Sequence, residues 1–443
     1  MKRRDSGWMR LGACAAMGVW LVSFGADNPP TTKPVPMRKE ILAKPDKPLD
    51  ERVNPAKMTT LDLPTLPEHV VMPMPPEHRI AETADQVPMD KAHWDKAHEV
   101  IRRGMAYLEK MQNVNGAWSM NAEAAPTDKP EARTPVSTAI TSLVLKALIQ
   151  ADGSMLKDER FAKGVSYLIG AQRQDGSFDD SQMANYVNSS VVSALATIGD
   201  RGEYQDRIRV ATQAMVKSQW DQSEGLDPTQ DWFGGAGYGS GRRPDLSNTQ
   251  MMLDALYDSG MSPEEPAFQR ALAFATRCQN FKKTNDATWA GDDGGFVYTT
   301  ANGGESAASA AAGEGSRGEK LPEGEPKSLR SYGSMTYAGF KSLLYAGLSA
   351  NDDRVRAAYD WIIHHFTFDE NPGVGQQGLY YYLHSMSRAL YVAQQNVITD
   401  ANGVKHNWRE ELIDAIAKRQ LENGSWVNDA DRWMEGNPVL VTA

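Results

Sequence analysis

Four side chains of this sequence are candidates for proton transfer: Asp245, Asp292, Asp293 and His384. A carboxyl or imidazole group acts as a general acid or base when its pKa lies near the working pH. Each candidate also has a structural interpretation. Asp245 precedes an apolar helical segment and can be its N-cap, the aspartate pair precedes two glycines and suits a turn, and His384 suits a hydrogen-bonded wall position.

Aromatic residues occur close to these candidates in the sequence. Aromatic rings around a cavity suit apolar ligands, or cations through the faces of the rings. An apolar small molecule or a peptide is therefore the predicted occupant, and no metal or other cofactor is predicted. The aromatic residues expected to line the cavity are Trp232, Phe233, Tyr238, Trp289, Phe296, Tyr332, Tyr381 and Tyr382.

A short repeated pattern predicts the elements that position these residues. A helical segment ends in Gln, a Gly follows four residues later, and an aromatic residue follows two after that. Gly permits a left-handed turn, the Gln amide can bond free helix-end groups, and the ring shields them from water. The pattern predicts a solenoid or a closed ring of helix pairs. Its copies are Gln112, Gly116, Trp118; Gln172, Gly176, Phe178; and Gln420, Gly424, Trp426.

From about residue 90 onward, helical periodicity occurs in pairs. The first member of each pair is amphipathic, and the second is apolar on most sides and must be covered on most sides. The sequence therefore predicts an all-α fold, an (α/α)6 toroid with amphipathic outer helices around apolar inner ones. The predicted outer helices are 94–111, 159–172, 204–219, 263–279, 352–366 and 408–420, and the inner ones are 136–151, 185–198, 245–259, 331–347 and 379–394.

Local signals predict where some helices begin. Ser262 to Glu265 and Asn407 to Glu410 have the letters of a capping box, in which the first and fourth residues bond each other's backbone amides. Residues 437–443 resemble the opening of a further inner helix, which favours an incomplete last inner helix.

The repeated Gln-Gly-aromatic pattern on helix pairs, which we call the glutamine clasp, resembles that of the terpenoid cyclase and protein prenyltransferase superfamily. It is most similar to bacterial exported proteins described as "prenyltransferase and squalene oxidase repeat". The resemblance covers residues 90–443 and implies an α/α toroid. It also implies where a squalene-hopene cyclase would hold its acid, the middle Asp of a D-x-D-D-T-A motif. This chain has Asp245 at the first position of that motif but Ser247 and Asn248 where the acids are needed.

The zinc site of protein prenyltransferases can be checked in the same way. The positions that would supply Asp, Cys and His correspond to Gly333, Met335 and Tyr382, and His384 is two residues late. The resemblance therefore implies a hollow ring whose proton donor and metal ligands have been replaced, with no carboxylates converging inside. Two functions follow: an exported binding or scaffold protein, or a divergent isoprenoid- or lipid-processing enzyme such as a terpene cyclase.

The first 88 residues predict export and tethering. Residues 1–26 begin with a basic stretch that ends at Arg10 and continue with uncharged residues, which is typical of a signal peptide or a retained membrane anchor. Residues 27–88 are rich in proline and predict an extended linker and strap. We expect an exported protein that is periplasmic or membrane-anchored. The net charge of −10 argues against nucleic acid as a partner.

The body of the toroid, residues 89–443, contains one segment of low complexity. Residues 301–327 are dominated by Gly, Ala, Ser and Glu. Such a composition buries little apolar surface, so the sequence predicts a disordered loop there.

Overall fold

The computed structural model describes residues 89–120, 133–198, 201–309, 315–325 and 327–443. The predicted signal segment, linker and strap lie outside the described residues. No helix within the described ranges is both long and apolar enough to cross a membrane.

The helices alternate between an outer and an inner layer, and the predicted all-α (α/α)6 toroid is confirmed. The inner helices lie within two residues of their predicted bounds. The outer helices are α1 (Lys91–Lys110), α3 (Glu159–Ile169), α5 (Arg201–Lys217), α7 (Pro266–Arg277), α9 (Asp353–His364) and α11 (Trp408–Arg419). The inner helices are α2 (Pro135–Ala151), α4 (Ala184–Thr197), α6 (Leu246–Asp258), α8 (Gly333–Tyr345), α10 (Leu379–Val392) and α12 (Pro438–Thr442).

Neighbouring inner helices pack side by side to form the wall of the ring. Helix α2 packs on α4, α4 on α6, α6 on α8, and α8 on α10. The ring closes where α12 packs against α1 and α2, and where α11 packs against α1. The interhelical loops contain two short antiparallel ribbons. Strand β1 (Ala236–Gly237) pairs with β2 (Pro244–Asp245), and β3 (Ile398–Thr399) pairs with β4 (Lys405–His406).

A glutamine side chain joins consecutive outer helices at five places in the described chain. The amide nitrogen of Gln112 donates to the carbonyl of Gly116 at 2.9 Å and to that of Arg160, on the next outer helix, at 2.8 Å. The same pair of bonds recurs around the ring. The remaining sets are Gln172 with Gly176 and Arg207, Gln219 with Gly234 and Ala267, Gln279 with Gly294 and Arg354, and Gln420 with Gly424 and Val100.

The residue two positions after each clasp glycine donates a backbone hydrogen bond to a side chain of an inner helix. The backbone N–H of Trp118 donates to Thr141 Oγ1 on α2 at 2.9 Å. The corresponding bonds run from Phe178 to Asn188, from Ala236 to Thr249, from Phe296 to Thr336 and from Trp426 to Thr442. Thr442 therefore gives α12 the register of the other inner helices. The prediction that residues 437–443 begin such a helix is confirmed, with Asn437 as its N-cap.

Three local predictions need correction. Helix α7 begins at Pro266, and Ser262 bonds Glu264 instead of capping it. Asn407 does precede α11, but its side chain makes no cap bond. Part of the predicted disordered segment is folded: the N–H of Glu305 donates to the carbonyl of Thr299 at 2.9 Å. Ala308 in the same segment is buried in the core.

Charged groups join α1 and α11 where the ring closes. The N–H of Asp90 donates to Glu410 at 2.9 Å, and Lys96 donates to Asp414 at 2.5 Å. His93 lies between Asp90 and Asp414, with ring-nitrogen distances of 2.9 and 3.5 Å. Asp90, His93 and Glu410 are close enough to share a cation. Their hydrogen bonds to one another already account for the arrangement.

Gly424 lies where the turn of the last clasp packs against the backbone of helix α1. Its φ is +93°, and a Cβ there would lie 2.3 Å from the carbonyl oxygen of Arg103. Gly403 has a φ of +80° with nothing within 4 Å of its Cβ position. Alanine at either site adds backbone strain of about 1–3 kcal/mol. We expect Gly424→Ala to lower the free energy of unfolding by at least about 2 kcal/mol more than Gly403→Ala in urea titrations. Equal losses would contradict the close approach.

The closing contact between α1 and α11 should depend on pH through His93. The hydrogen bond to Asp90 raises the pKa of His93. A raised folded-state pKa gives stability that is complete below the unfolded value of about 6.5 and is lost as the pH rises through the folded value. We expect the free energy of unfolding of the native chain to lose this contribution on going from pH 5 to 8.5, and His93→Gln to lack it. His98→Gln, on the same helix, should behave like the native chain.

Candidate functional site

One position in each of five inner helices places a polar side chain inside the ring. It directly precedes an Ala-Leu pair, or Ser-Leu in α8. Such a residue on an otherwise apolar helix must find polar partners. The residues are Lys146, Ser193, Asp254, Lys341 and Arg388.

Lys341 and Asp254 form a buried ion pair between α8 and α6. Lys341 Nζ lies 2.6 Å from Asp254 Oδ2, and only 1% of the lysine side chain is exposed. The hydroxyl of Tyr345 donates to the other oxygen of Asp254 at 2.8 Å. A second lysine bond, at 2.7 Å, goes to Gln250 Oε1. The pair is therefore satisfied on both sides without water.

Asp258, one turn further along α6, accepts bonds from three other inner helices. Arg388 Nη2 donates to Oδ1 at 2.5 Å, and Lys146 Nζ donates to Oδ2 at 2.8 Å. Ser193 also donates to Oδ2. Arg388 Nε donates to the Tyr345 hydroxyl at 3.0 Å, which links the two carboxylates. We call Lys146, Asp254, Asp258, Lys341 and Arg388 the charged cluster.

The charged cluster corrects one expectation from the sequence. Carboxylates do converge inside the ring, although the sequence predicted none there. Burial opposes the ionisation of Asp254, but Lys341 and Arg388 outweigh it and hold the pKa of this carboxyl below its ordinary value. Lys146 and Arg388 likewise lower the pKa of Asp258 against the effect of burial. Both groups stay ionised and are poor proton donors.

A row of hydroxyl groups continues from the charged cluster toward the N-terminal ends of the inner helices. Ser247 Oγ lies 2.6 Å from the Tyr186 hydroxyl and 2.9 Å from the Tyr381 hydroxyl. Gln250 Nε2 donates to Tyr381 at 3.1 Å, and its Oε1 accepts from Lys341. We call Tyr186, Ser247 and Tyr381 the hydroxyl row. Polar contacts thus run without a break along the lumen.

His384 faces the lumen from α10, one turn before Arg388. The ring surrounds it, yet its surface is exposed, which requires open space beside it. Its imidazole bonds to no side chain or backbone group of the described residues. Burial, and then the charge of Lys341, lowers the pKa of His384 to about 4. The imidazole is therefore neutral near pH 7 and can donate or accept a bond. His384 does lie in the wall of the lumen, but the prediction that its ring is hydrogen-bonded there is wrong for the described residues.

Asp245 is the N-cap of α6, as one of its two interpretations predicted. Its Oδ1 accepts from the N–H of Asn248 at 2.8 Å, and its Oδ2 accepts from the Asn248 side chain at 2.8 Å. Tyr298 supplies another hydrogen bond. Burial raises the pKa of Asp245 to about 6 despite these bonds, and the residue is only 1% exposed. Its carboxyl is engaged by the protein.

Asp292 and Asp293 lie in a turn of the long loop between α7 and α8. Asp292 is exposed and accepts from the N–H of Lys282 at 3.1 Å. Asp293 is buried and accepts from the N–H of Gly295 at 2.9 Å and from Ser331 Oγ at 2.8 Å. Burial raises the pKa of Asp293 to about 6. The predicted turn role is confirmed for both.

Most of the aromatic residues predicted to line the cavity serve in packing. Trp232 and Phe233 belong to a separate apolar cluster with Leu226. The residues buried in one of the two large apolar clusters of the ring are Trp289, Phe296, Tyr332 and Tyr382. Tyr381 belongs to the hydroxyl row. Tyr238 packs against Tyr186 with the ring planes tilted by 39° and the ring centroids 5.5 Å apart, and both residues are partly accessible.

Sequence reasoning missed the charged cluster, although a signal for it was present. Four of the cluster's five members are charged residues that directly precede an Ala-Leu or Ser-Leu pair on an apolar inner helix, and Asp258 is the exception. Two clefts on the outer surface share no lining residue with the charged cluster. Depressions of 690 and 400 Å³ lie beside Tyr167 and His365, and both are wide open to solvent.

Comparison with protein families gives one match, over the first part of the ring. Residues 86–187 match the family model described as the squalene-hopene cyclase C-terminal domain. The match supports the resemblance to the terpenoid cyclase superfamily over that part of the chain. No curated protein sequence matches the chain.

The solved structures that the chain matches have low sequence identity to it and TM-scores below 0.5. A protein from Actinoplanes is 14% identical, with 75% of this chain and 83% of that chain covered and a TM-score of 0.41. A variant of the type II terpene cyclase MstE from Scytonema, bound to geranylgeranyl dihydroxybenzoate, is 14% identical, with 76% and 83% covered and a TM-score of 0.38. A D-mannose isomerase is 10% identical, with 80% and 97% covered and a TM-score of 0.48.

The buried ion pair predicts a large effect of Asp254→Asn on stability. The variant leaves the Lys341 charge buried without its carboxylate, which costs about 3–5 kcal/mol. The double variant Asp254→Asn with Lys341→Met removes the stranded charge and should recover part of that loss. Urea unfolding measures each. Asp353→Asn is the control, because its partner Lys283 is exposed and such pairs contribute about 0–1 kcal/mol. Equal losses in Asp254→Asn and Asp353→Asn would contradict the interpretation.

Proposed function

We propose that this protein binds a small polar ligand in the lumen of its helical ring and does not carry out cyclase chemistry. The observation that carries the proposal is the unbroken line of polar groups from the hydroxyl row to the charged cluster. Most of these groups bond one another, but donors of Lys146, Arg388 and His384 do not within the described chain, and an apolar ligand would cover them at a cost of about 1–3 kcal/mol for each group left unpaired. A polar ligand suits this wall better than the apolar one that the sequence predicts.

The residues at the cyclase acid positions support a binding role. Ser247 bonds the hydroxyls of Tyr186 and Tyr381. Asn248 donates to Asp245, and its own oxygen accepts from Asn185 at 3.0 Å. Neither side chain carries an acidic proton that could start a carbocation reaction. The ionised Asp254 and Asp258 do not replace the missing acid.

A divergent enzyme is the second candidate, and His384 is the observation that favours it. A neutral imidazole with free nitrogens beside open space can act as a general base. Such an enzyme would act on a polar substrate at the lumen. The isoprenoid- and lipid-processing activities that the resemblance implies are the alternatives to test.

We further propose, from the sequence of residues 1–88 alone, that the protein is exported and remains periplasmic or attached to a membrane. The proposal for the lumen does not depend on this location.

Native mass spectrometry of the purified full chain tests the binding role. We expect a small polar molecule to be retained by the native chain and lost in His384→Trp, because the larger ring fills the open space beside position 384. The control is His364→Trp on α9, whose side chain is exposed, and it should retain the molecule. Incubation with squalene and with prenyl diphosphates should give no product.

Two outcomes would overturn the binding proposal. One is turnover of squalene or a prenyl diphosphate that His384→Gln abolishes, which favours the enzyme. The other is the absence of any ligand in the native chain together with equal thermal stability of both His→Trp variants in metabolite extracts.

A further inference from the structure

The charged cluster has one open edge. Lys341 is 1% exposed, whereas the side chains of Lys146 and Arg388 are 23% and 13% exposed. Lys146 and Arg388 bind opposite oxygens of Asp258. Their charged ends therefore meet at this carboxylate, on the side of the cluster whose side chains are partly exposed.

The same cluster contains more cations than carboxylates. Lys146, Lys341 and Arg388 share only Asp254 and Asp258 as ion-pair partners among the described residues. One positive charge is in excess. A buried charge without a counter-ion is unfavourable, so the open edge favours a ligand with one negative charge.

Some hydrogen-bond donors at this edge have no acceptor among the described residues. Arg388 uses Nε for Tyr345 and Nη2 for Asp258, while its Nη1 donates to no acceptor in the described ranges. The ammonium of Lys146 has three donors and uses two, for Ser193 and Asp258. His384, one turn before Arg388 on α10, adds a free imidazole. Guanidinium and ammonium donors side by side suit the paired oxygens of a carboxylate.

We propose that the lumen ligand carries a single carboxylate, which binds between Lys146 and Arg388 beside His384. This inference rests on the proposed function. A diphosphate carries more negative charge than the one excess cation balances, so the monoanion is favoured over phosphate esters. The low pKa of His384 agrees with this count, because a neutral imidazole adds no further positive charge.

Acetate and acetamide are matched probes for the carboxylate site, since they have nearly the same shape and differ in charge. The full chain, exchanged into chloride buffer at constant ionic strength, is titrated with each while the imidazole proton signals are followed by NMR. His384→Gln identifies the His384 signal. We expect a saturable shift and a raised pKa of His384 with acetate, and neither with acetamide.

Two lysine variants locate the acetate. Lys146→Met removes a donor and the excess charge, while Arg388 still pairs with Asp258. We expect it to raise the Kd for acetate by at least about tenfold. Lys163→Met, an exposed site on the outer helix α3, should leave that Kd unchanged. Circular dichroism establishes that both variants are folded.

Equal shifts with acetate and acetamide, tighter binding of phosphate or diphosphate than of acetate, or an unchanged Kd in Lys146→Met would overturn the carboxylate inference. A neutral polar molecule retained in the lumen, with no response to acetate, would refute the inference and leave the proposed function standing. No ligand of any class in the lumen would refute the proposed function as well.

Discussion

The glutamine clasp is the interaction on which the ring depends. One side-chain amide satisfies a carbonyl of the turn that ends its own helix and a carbonyl of the next outer helix. The turn glycine fits against the backbone of that next helix, where a Cβ at Gly234 would lie only 1.8 Å from the carbonyl of Arg270. Because the clasp sets the distance and angle between neighbours, its repetition sets the curvature of the ring. Five of the six inner helices in the described chain, all but α10, are tied to a clasp loop through a Thr or Asn side chain and so follow the outer ring.

The curved wall brings together charges that would be costly on separate helices. Asp254, Lys341 and Arg388 belong to three different inner helices, and each is stable in the interior only because the others are there. The chemistry of the lumen is therefore a property of the closed ring. It also explains how a fold that resembles cyclases can present a polar interior: the wall positions change while the clasps stay the same.

The sequence predicts the fold well because the fold depends on local signals. Helix periodicity gives the inner helices nearly to the residue, and the clasp pattern gives three connections. It misses those of Gln219 and Gln279, whose turn glycines follow only after fifteen residues. Capping letters mislead at Asn407 because Glu410 accepts a bond from Asp90 on the adjacent helix α1, where the ring closes. The charged cluster was visible as isolated Lys, Asp and Arg on apolar helices. Which cation meets which carboxylate depends on ring closure, and no local pattern records that.

The bond from Gln420 to Val100 joins residues 320 positions apart. Helix α1 therefore emerges from the ribosome long before the partner that covers its side can be synthesised. Contacts of such high sequence separation slow folding, since a long loop must close before they contribute. The intermediate helix pairs can assemble one after another as an open arc during translation. The final step joins the two ends of the arc, and until then the side of the first helix that packs on α11 and α12 stays uncovered.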